Sequence, residues 1–302
     1  MRLTRRAVLG LMAAAAGAGA ARSAAAPSML QRSIPSSGES LPAVGLGTWR
    51  TFDVGDGRAA RAPLKDVLAR FVELGGRVLD SSPMYGAAES VAGDLAAELG
   101  VADRLFWATK VWTSGREAGI RQMEQSLTRF RVARLDLMQI HNLLDWRTHL
   151  RTLREWKQAG RVRYVGVTHY TAGAYDELER VLRAEPLDFV QVNYSLGERD
   201  ADRRILPLAR ERGVAVLVNR PFSEGGLFQR VRGAPLPAWA AELGCASWAQ
   251  IFLKWILAHP AVTCVIPATS RVEHLVENMK AGTGVLPDAA ARERIAAALS
   301  AR

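Results

Sequence analysis

R-V-L-D-S-S-P-M-Y-G, running from Arg77 to Gly86, is the stretch whose reading decides the fold. Residues Arg77 to Leu79 predict a short buried strand that ends on a carboxylate, Asp80. The chain then turns through Ser81, Ser82 and Pro83 and presents Tyr85 just before Gly86. Strand tips are where parallel α/β folds keep their chemistry. Two later apolar runs end the same way: Leu105–Thr109 leads into Lys110, and Leu137–Ile140 leads into His141. Parallel, neighbouring strands would bring Asp80, Tyr85, Lys110 and His141 to one point.

Outward from this stretch, short apolar runs alternate with amphipathic ones. The runs Ala43–Gly47, Arg77–Leu79, Leu105–Thr109, Leu137–Ile140, Tyr164–Thr168, Phe189–Val192, Val214–Val218 and Val262–Ile266 read as strands. Helical patterns cover Pro63–Leu74, Ala88–Leu99, Glu117–Phe130, Trp146–Ala159, Ala172–Arg183, Ala201–Arg212, Ser247–Ala258 and Val272–Ala281. Nearly continuous apolar strands between helices imply parallel strands buried on both faces. Eight such units in about 250 residues is the count of a closed (β/α)8 TIM barrel. A doubly wound open sheet would call for a glycine-rich turn after the first strand. Gly45 and Gly47 do not form a G-x-G-x-x-G leading into a helix, so that fingerprint is absent. A hairpin through Ser36-Ser37-Gly38 precedes the barrel, and an extra helix, Asp288–Leu299, follows it. Residues 27–302 thus read as one α/β barrel domain.

Residues 1–26 stand apart. Arg5 and Arg6 follow Thr4, an Ala-rich apolar run extends to Ala21, and small residues fill Ser23 to Ala26. That layout resembles a twin-arginine export signal and predicts a periplasmic or secreted protein that uses the export machinery. The competing expectation is a cytoplasmic protein whose true start is Met29. The run is too short and too rich in Ala and Gly for a comfortable membrane span.

The formal charge of +10 falls to about +6 without residues 1–26, because Arg2, Arg5, Arg6 and Arg22 leave with no acid among them. The remaining surplus is spread along the chain without a basic cluster interleaved with aromatics, which argues against nucleic acid as a partner. The two cysteines, Cys245 and Cys264, have no C-x-x-C and no His at metal spacing, so no metal site is expected and their pairing stays open.

The chemistry of the four strand-exit residues follows from their types. A tyrosine is a weak acid with an ordinary pKa near ~10. A neighbouring ammonium lowers that value by stabilising the phenolate, and a carboxylate behind the lysine fixes the lysine in place. His141 could orient a carbonyl oxygen or share its proton. Singly, each residue has a plainer explanation: a helix cap, a loop packer, a solvated lysine, a satisfied histidine. Their joint placement on three successive strand exits points to protonating an alkoxide as it forms.

The segments V-G-L-G-T-W, V-L-D-S-S-P-M-Y-G, F-W-A-T-K-V-W, L-D-L-M-Q-I-H, G-V-T-H-Y, Q-V-N-Y and V-I-P-A-T-S resemble, in order and spacing, the aldo-keto reductase superfamily from about Leu41 to Ala281. The resemblance implies a (β/α)8 barrel that reduces a small aldehyde or ketone with a nicotinamide cofactor, NADPH first and NADH as the competitor. It implies that Tyr85 is the general acid, Lys110 and Asp80 its tuning pair, and His141 the group that orients substrate. Thr168, His169 and Gln191 match positions that hold the nicotinamide carboxamide. The loop P-F-S-E-G-G-L-F, with Pro221, Phe222, Gly225 and Gly226, resembles the segment that folds over the pyrophosphate. Trp49, Trp112 and Asn142 fall at substrate-pocket positions.

Several positions depart from the family pattern. Asn219 stands where many members stack an aromatic on the nicotinamide. Ala268 replaces a lysine that pairs with the 2′-phosphate, and His274 replaces an arginine. Thr269, Ser270, Arg271 and Asn278 remain for the adenosine end, with Arg271 a possible phosphate clamp. Asn142, in place of a bulky aromatic, predicts a roomier or more polar pocket. These departures, with the export signal, also allow a second reading: a cofactor-binding but slow barrel acting as a redox-sensing or assembly subunit.

Overall fold

A computed structural model of the chain describes residues 28–300. The export-signal expectation, on residues 1–26, lies outside them. Two short strands, β1 (Gln31–Ser33) and β2 (Ser40–Pro42), form the antiparallel hairpin expected around Ser36-Ser37-Gly38. Eight parallel strands follow in sequential order: β3 (Leu46–Gly47), β4 (Val78–Asp80), β5 (Phe106–Val111), β6 (Leu135–His141), β7 (Val162–His169), β8 (Phe189–Asn193), β9 (Ala215–Asn219) and β10 (Val262–Val265).

The sheet closes on itself. Gly45 N–H donates to Val265 O at 2.8 Å and Val265 N–H to Ala43 O at 2.9 Å, so the first and last strands meet through bridges at Val44 and Gly47. Glycine is needed at this seam. A Cβ on Gly45 would stand 2.8 Å from Val78 O, and one on Gly47 would stand 2.8 Å from Ile266 O. The expected first strand, Ala43–Gly47, is accordingly shortened to two residues and bridges.

Alternation along the strands sorts their side chains. Leu79, Trp107, Val165 and Val190 face the surrounding helices, whereas Val78, Phe106, Leu137, Tyr164, Phe189 and Leu217 fill the barrel interior together with Ile34 and Leu41 of the hairpin. The hairpin therefore plugs the N-terminal end, and Tyr164 Oη ties it down through Ser37 Oγ (2.8 Å) and Glu39 Oε2 (2.7 Å). Two or four residues further along the same inward rows, the side chains become polar: Asp80, Lys110, Gln139, Thr168, Gln191 and Asn219. The apolar plug below thus gives way to a polar layer at the C-terminal mouth.

The helices match expectation with two instructive differences. α1 (Arg58–Glu73) begins a turn before Pro63, because Arg61 anchors that turn on Asp56 (2.6 Å), Asp94 (2.8 Å) and Gly55 O (3.1 Å). The expected helix Ala201–Arg212 is split at Arg204 into Asp200–Arg203 and Ile205–Arg212. Pro207 has no N–H for the Arg203 carbonyl and its ring collides with that group. Arg204 turns instead to Asp176 and Glu179 of α5 (Tyr175–Ala184). The tail helix, Ala289–Ser300, is capped by Asp288 and packs on the helix Trp248–Leu257, where Trp255 Nε1 donates to Arg292 O. Both cysteines are buried and free. Among the described residues no helix is long and apolar enough to cross a membrane, and no His/Cys/Asp/Glu cluster could hold a metal ion.

Candidate active site

Asp80 is the last residue of β4, Lys110 the penultimate residue of β5 and His141 the last of β6, so three neighbouring parallel strands deliver them to the same mouth. Tyr85 hangs over them from the loop after β4. Lys110 Nζ donates to Asp80 Oδ2 at 2.7 Å and to Ser81 O at 2.6 Å, and lies 5.2 Å from the centre of the Tyr85 ring. The other carboxylate oxygen, Asp80 Oδ1, accepts from Gln139 Nε2 (3.1 Å) and Gln191 Nε2 (2.8 Å). Asp80 is thus held by one cation and two amides and cannot swing away from Lys110. Thr48 Oγ1 donates to Asp80 O at 3.0 Å and fixes the turn.

The electrostatics follow from burial. Lys110 is fully buried, which alone would favour its neutral form, but Asp80 and Tyr85 outweigh this and raise its pKa. Burial raises the Tyr85 pKa and Asp80 adds to the rise, against the opposing charge of Lys110. The lowered phenol pKa expected from the lysine is therefore corrected: desolvation wins, and Tyr85 is a neutral phenol that holds its proton at neutral pH. His141 is pushed down to about 3 by burial and, next, by the Lys110 charge. It works as a neutral imidazole, able to donate one hydrogen bond and unable to act as a cationic acid at neutral pH.

The hydrogen-bond partner of His141 Nδ1 is Ser82. Ser82 Oγ lies 3.2 Å from His141 Nδ1 and accepts a long bond, 3.4 Å, from Met84 N–H. When the Ser82 hydroxyl donates to Nδ1, the ring proton sits on Nε2. His141 lines the cavity, and the Tyr85 ring stands edge-on to it at 6.1 Å.

That cavity measures about 470 Å³ at the C-terminal mouth. Of the residues expected there, Trp49, Asp80, Tyr85, His141, Asn142, Thr168, Gln191, Asn219, Pro221, Phe222 and Gly225 line it. Lys110 sits behind the wall under Tyr85, and Trp112 stands beside the His141 ring at 6.4 Å with much of its surface in solvent. His169, Gly226, Thr269, Ser270, Arg271, His274 and Asn278 are not part of this wall. Thr269 Oγ1 is engaged with the backbone of Arg271, whose guanidinium lies 3.6 Å from Glu273. Gln191 also has partners within the protein. Its amide nitrogen is taken by Asp80 and its oxygen accepts from Asn219 at 3.3 Å, so it braces the pair from within the protein.

Four participants escaped the sequence reading. Gln139 was legible, since it lies two residues before His141 and so on the same face of β6. Ser82, Tyr170 and Arg220 belong to loops or strand ends, and no periodicity places a loop side chain.

The Aldo/keto reductase family model matches residues 43–297. Methylglyoxal reductase YeaE of Escherichia coli is 30% identical over 261 residues, covering 83% of this chain and 89% of that protein. An aldo/keto reductase from Klebsiella pneumoniae, solved in complex with NADP and acetate, superposes with a TM-score of 0.72 at 25% identity, over 87% of this chain and 93% of that one. The thermostable aldo-keto reductase Tm1743, solved with the inhibitor epalrestat, gives 0.74 at 26% identity, over 89% and 99%. A family match spanning nearly the whole described barrel, together with a parallel eight-stranded barrel that carries its polar layer at one mouth, leaves one conclusion: the chain is an oxidoreductase that belongs to the aldo/keto reductase family.

Proposed function

We propose that this enzyme reduces aldehyde and ketone carbonyls with NADPH, with Tyr85 as the proton donor. The observation that carries the proposal is a neutral, buried phenol set over a lysine that is itself locked by Asp80, in the same cavity as a neutral histidine. The Klebsiella pneumoniae relatives solved with NADP and with NADPH support the choice of cofactor. YeaE makes methylglyoxal the first carbonyl to assay.

The residues present fit such a cofactor. Asn142 Oδ1 and Asn219 Oδ1 are buried acceptors without a partner among the described residues, and both residues line the cavity, as a carboxamide N–H requires. Thr168 and Asn219 would hold the carboxamide. The loop Pro221–Gly226 would take the phosphates, since a Cβ on Gly225 would meet nothing within 4 Å and the backbone is open to approach. When bound, the cofactor supplies a hydride to the carbonyl carbon.

The chain's own residues do the rest. His141, through Nε2–H, orients the carbonyl oxygen and stabilises the negative charge that develops there. Tyr85 gives its proton to that oxygen as the bond electrons arrive. Lys110 stabilises the phenolate left behind, at the moment when burial alone would oppose it. Asp80, braced by Gln139 and Gln191, keeps the ammonium in place and charged. Aromatic walls from Trp49, Tyr170 and Phe222 exclude water from the reacting atoms.

Tyr85→Phe tests the reading. Turnover of methylglyoxal should fall about 10²–10⁴-fold, the range of a lost general acid, while NADPH still quenches tryptophan fluorescence at native concentrations. Full turnover in the variant refutes the role of Tyr85. Parallel titration with NADH decides the cofactor preference. The export reading of residues 1–26 belongs to the same proposal. Replacing Arg5 and Arg6 by lysine should retain the protein in the cytoplasm, and unchanged fractionation would remove it.

A further inference from the structure

Arg220 is the only cation in the cavity wall among the described residues, because His141 is neutral and Lys110 lies behind the wall. It follows Asn219 at the end of β9 and adopts φ +48°, a left-handed conformation that is strained for a residue with a side chain. Its guanidinium carbon lies 4.5 Å over the Tyr170 ring and 5.7 Å from the Trp49 ring. Stacking uses the face of a guanidinium and leaves its N–H edges for a planar anion.

The charges around Arg220 do not balance. Glu224 approaches Arg220 Nη2 at 3.0 Å, and its other oxygen lies 3.9 Å from Arg50 Nη1. Two guanidiniums thus share one carboxylate, and Glu224 is over a third exposed and weakly held. Asp80 and Lys110 cancel each other deeper in the cavity. The surplus positive charge is that of Arg50, 69% exposed and outside the wall, which draws on Glu224 and so loosens its hold on Arg220. Arg220 is close enough to act on the Tyr85 hydroxyl. The rest of the wall is largely apolar: Trp49, Met84, Tyr170, Phe222 and Phe228.

We propose that Arg220 is an anion subsite for the substrate, so that the preferred carbonyl compounds carry a carboxylate on an apolar body. This rests on the carbonyl-reductase reading above. Two anions could use the same chemistry, a substrate carboxylate or a phosphate of the cofactor. The substrate is favoured because Arg220 lies between Trp49 and Tyr170, on the wall it shares with Tyr85 and His141.

The experiment compares kcat/KM, at saturating NADPH, for 4-carboxybenzaldehyde against 4-methylbenzaldehyde and for succinic semialdehyde against butanal. The native enzyme should favour the charged member of at least one pair by about tenfold or more, with the difference in KM. In Arg220→Met the charged-to-neutral ratio should fall at least tenfold, and Arg220→Lys should keep part of the preference. Added salt should erode it. Calorimetry on the NADPH complex should show benzoate binding about tenfold more weakly in Arg220→Met, and fluorescence titration should show NADPH binding in the native range in both variants. A native enzyme that reduces both members of each pair equally overturns the proposal, as does a ratio unmoved by Arg220→Met. Loss of NADPH affinity with the ratio intact assigns Arg220 to the cofactor phosphate and overturns it too. Should the native enzyme bind NADPH yet reduce none of the four aldehydes, the carbonyl-reductase reading fails first.

Discussion

Lys110 Nζ and Asp80 Oδ2 lie 2.7 Å apart with side chains 0% and 4% exposed, an ion pair enclosed by the barrel at the end of its apolar core. Two amides saturate the far side of the carboxylate, so this is a paired and hydrogen-bonded buried charge, the only kind a core tolerates. Removing one partner leaves the other uncompensated. Lys110→Met should therefore destabilise the protein by about 3–5 kcal/mol and abolish turnover. Asp80→Asn combined with Lys110→Met should cost less than the sum of the single changes. Urea unfolding of the four proteins measures the coupling, and strict additivity would sink the account.

His141 predicts how the fold answers acid. Its pKa is about 3 in the native state against 6.5 unfolded, because burial and Lys110 disfavour the imidazolium. Between those values the unfolded chain takes up a proton that the folded chain refuses, so the contribution to stability is complete above pH 6.5 and is lost as pH falls toward about 3. The loss should reach a few kcal/mol, at ~1.4 kcal/mol per pKa unit. Urea unfolding at pH 7, 5 and 4 should show a smaller fall for His141→Asn than for the native protein. The carboxylates common to both cancel in the comparison.

Ser82 should control the tautomer of that histidine. Nitrogen NMR of the native protein is expected to show the proton of His141 on Nε2, and Ser82→Ala should give a mixture. A carbonyl then loses its donor for part of the time, and kcat/KM should fall by about tenfold, the value of one lost hydrogen bond. Ser82→Thr keeps the hydroxyl and should restore both signals. An unchanged tautomer in Ser82→Ala would show that something else holds the proton.

Gly93 lies in α2 (Ala88–Leu99), where alanine would ordinarily improve a helix by about 1 kcal/mol. Here a Cβ would stand 2.2 Å from Arg129 O and 2.7 Å from Phe130 Cα, at the end of α3 (Arg116–Phe130). These are backbone atoms and cannot rotate aside. Gly93→Ala should destabilise by about 1–3 kcal/mol, the cost of overpacking, seen as a lower thermal midpoint. A raised midpoint would mean that the two helices separate freely.

The chain by itself determined the order and number of the barrel strands, because each is a short apolar run buried on both faces and the intervening helices carry their own periodicity. It also determined which side chains end the second, third and fourth barrel strands, and residue type alone gave the phenol proposed as acid, the cation and the carboxylate. Tertiary structure decided the rest. The expected direction of the Tyr85 pKa was reversed because desolvation depends on how deeply the ring is buried, which no spacing encodes. The contact of Gln191 with Asp80 exists because alternation and stagger bring β8 and β4 to one layer although the two residues are 111 apart. Pro207 breaks the helix at Arg204 from within the chain, whereas the partners of Arg204, Asp176 and Glu179, come from another helix. Ser82 takes its partner His141 from the end of β6, and Arg220 reaches Tyr170 and Trp49 from the end of β9, contacts that only closure of the barrel provides. Local pattern fixes elements because it acts through the backbone, whereas charge and hydrogen bonding are settled by distances that exist only once the chain has closed.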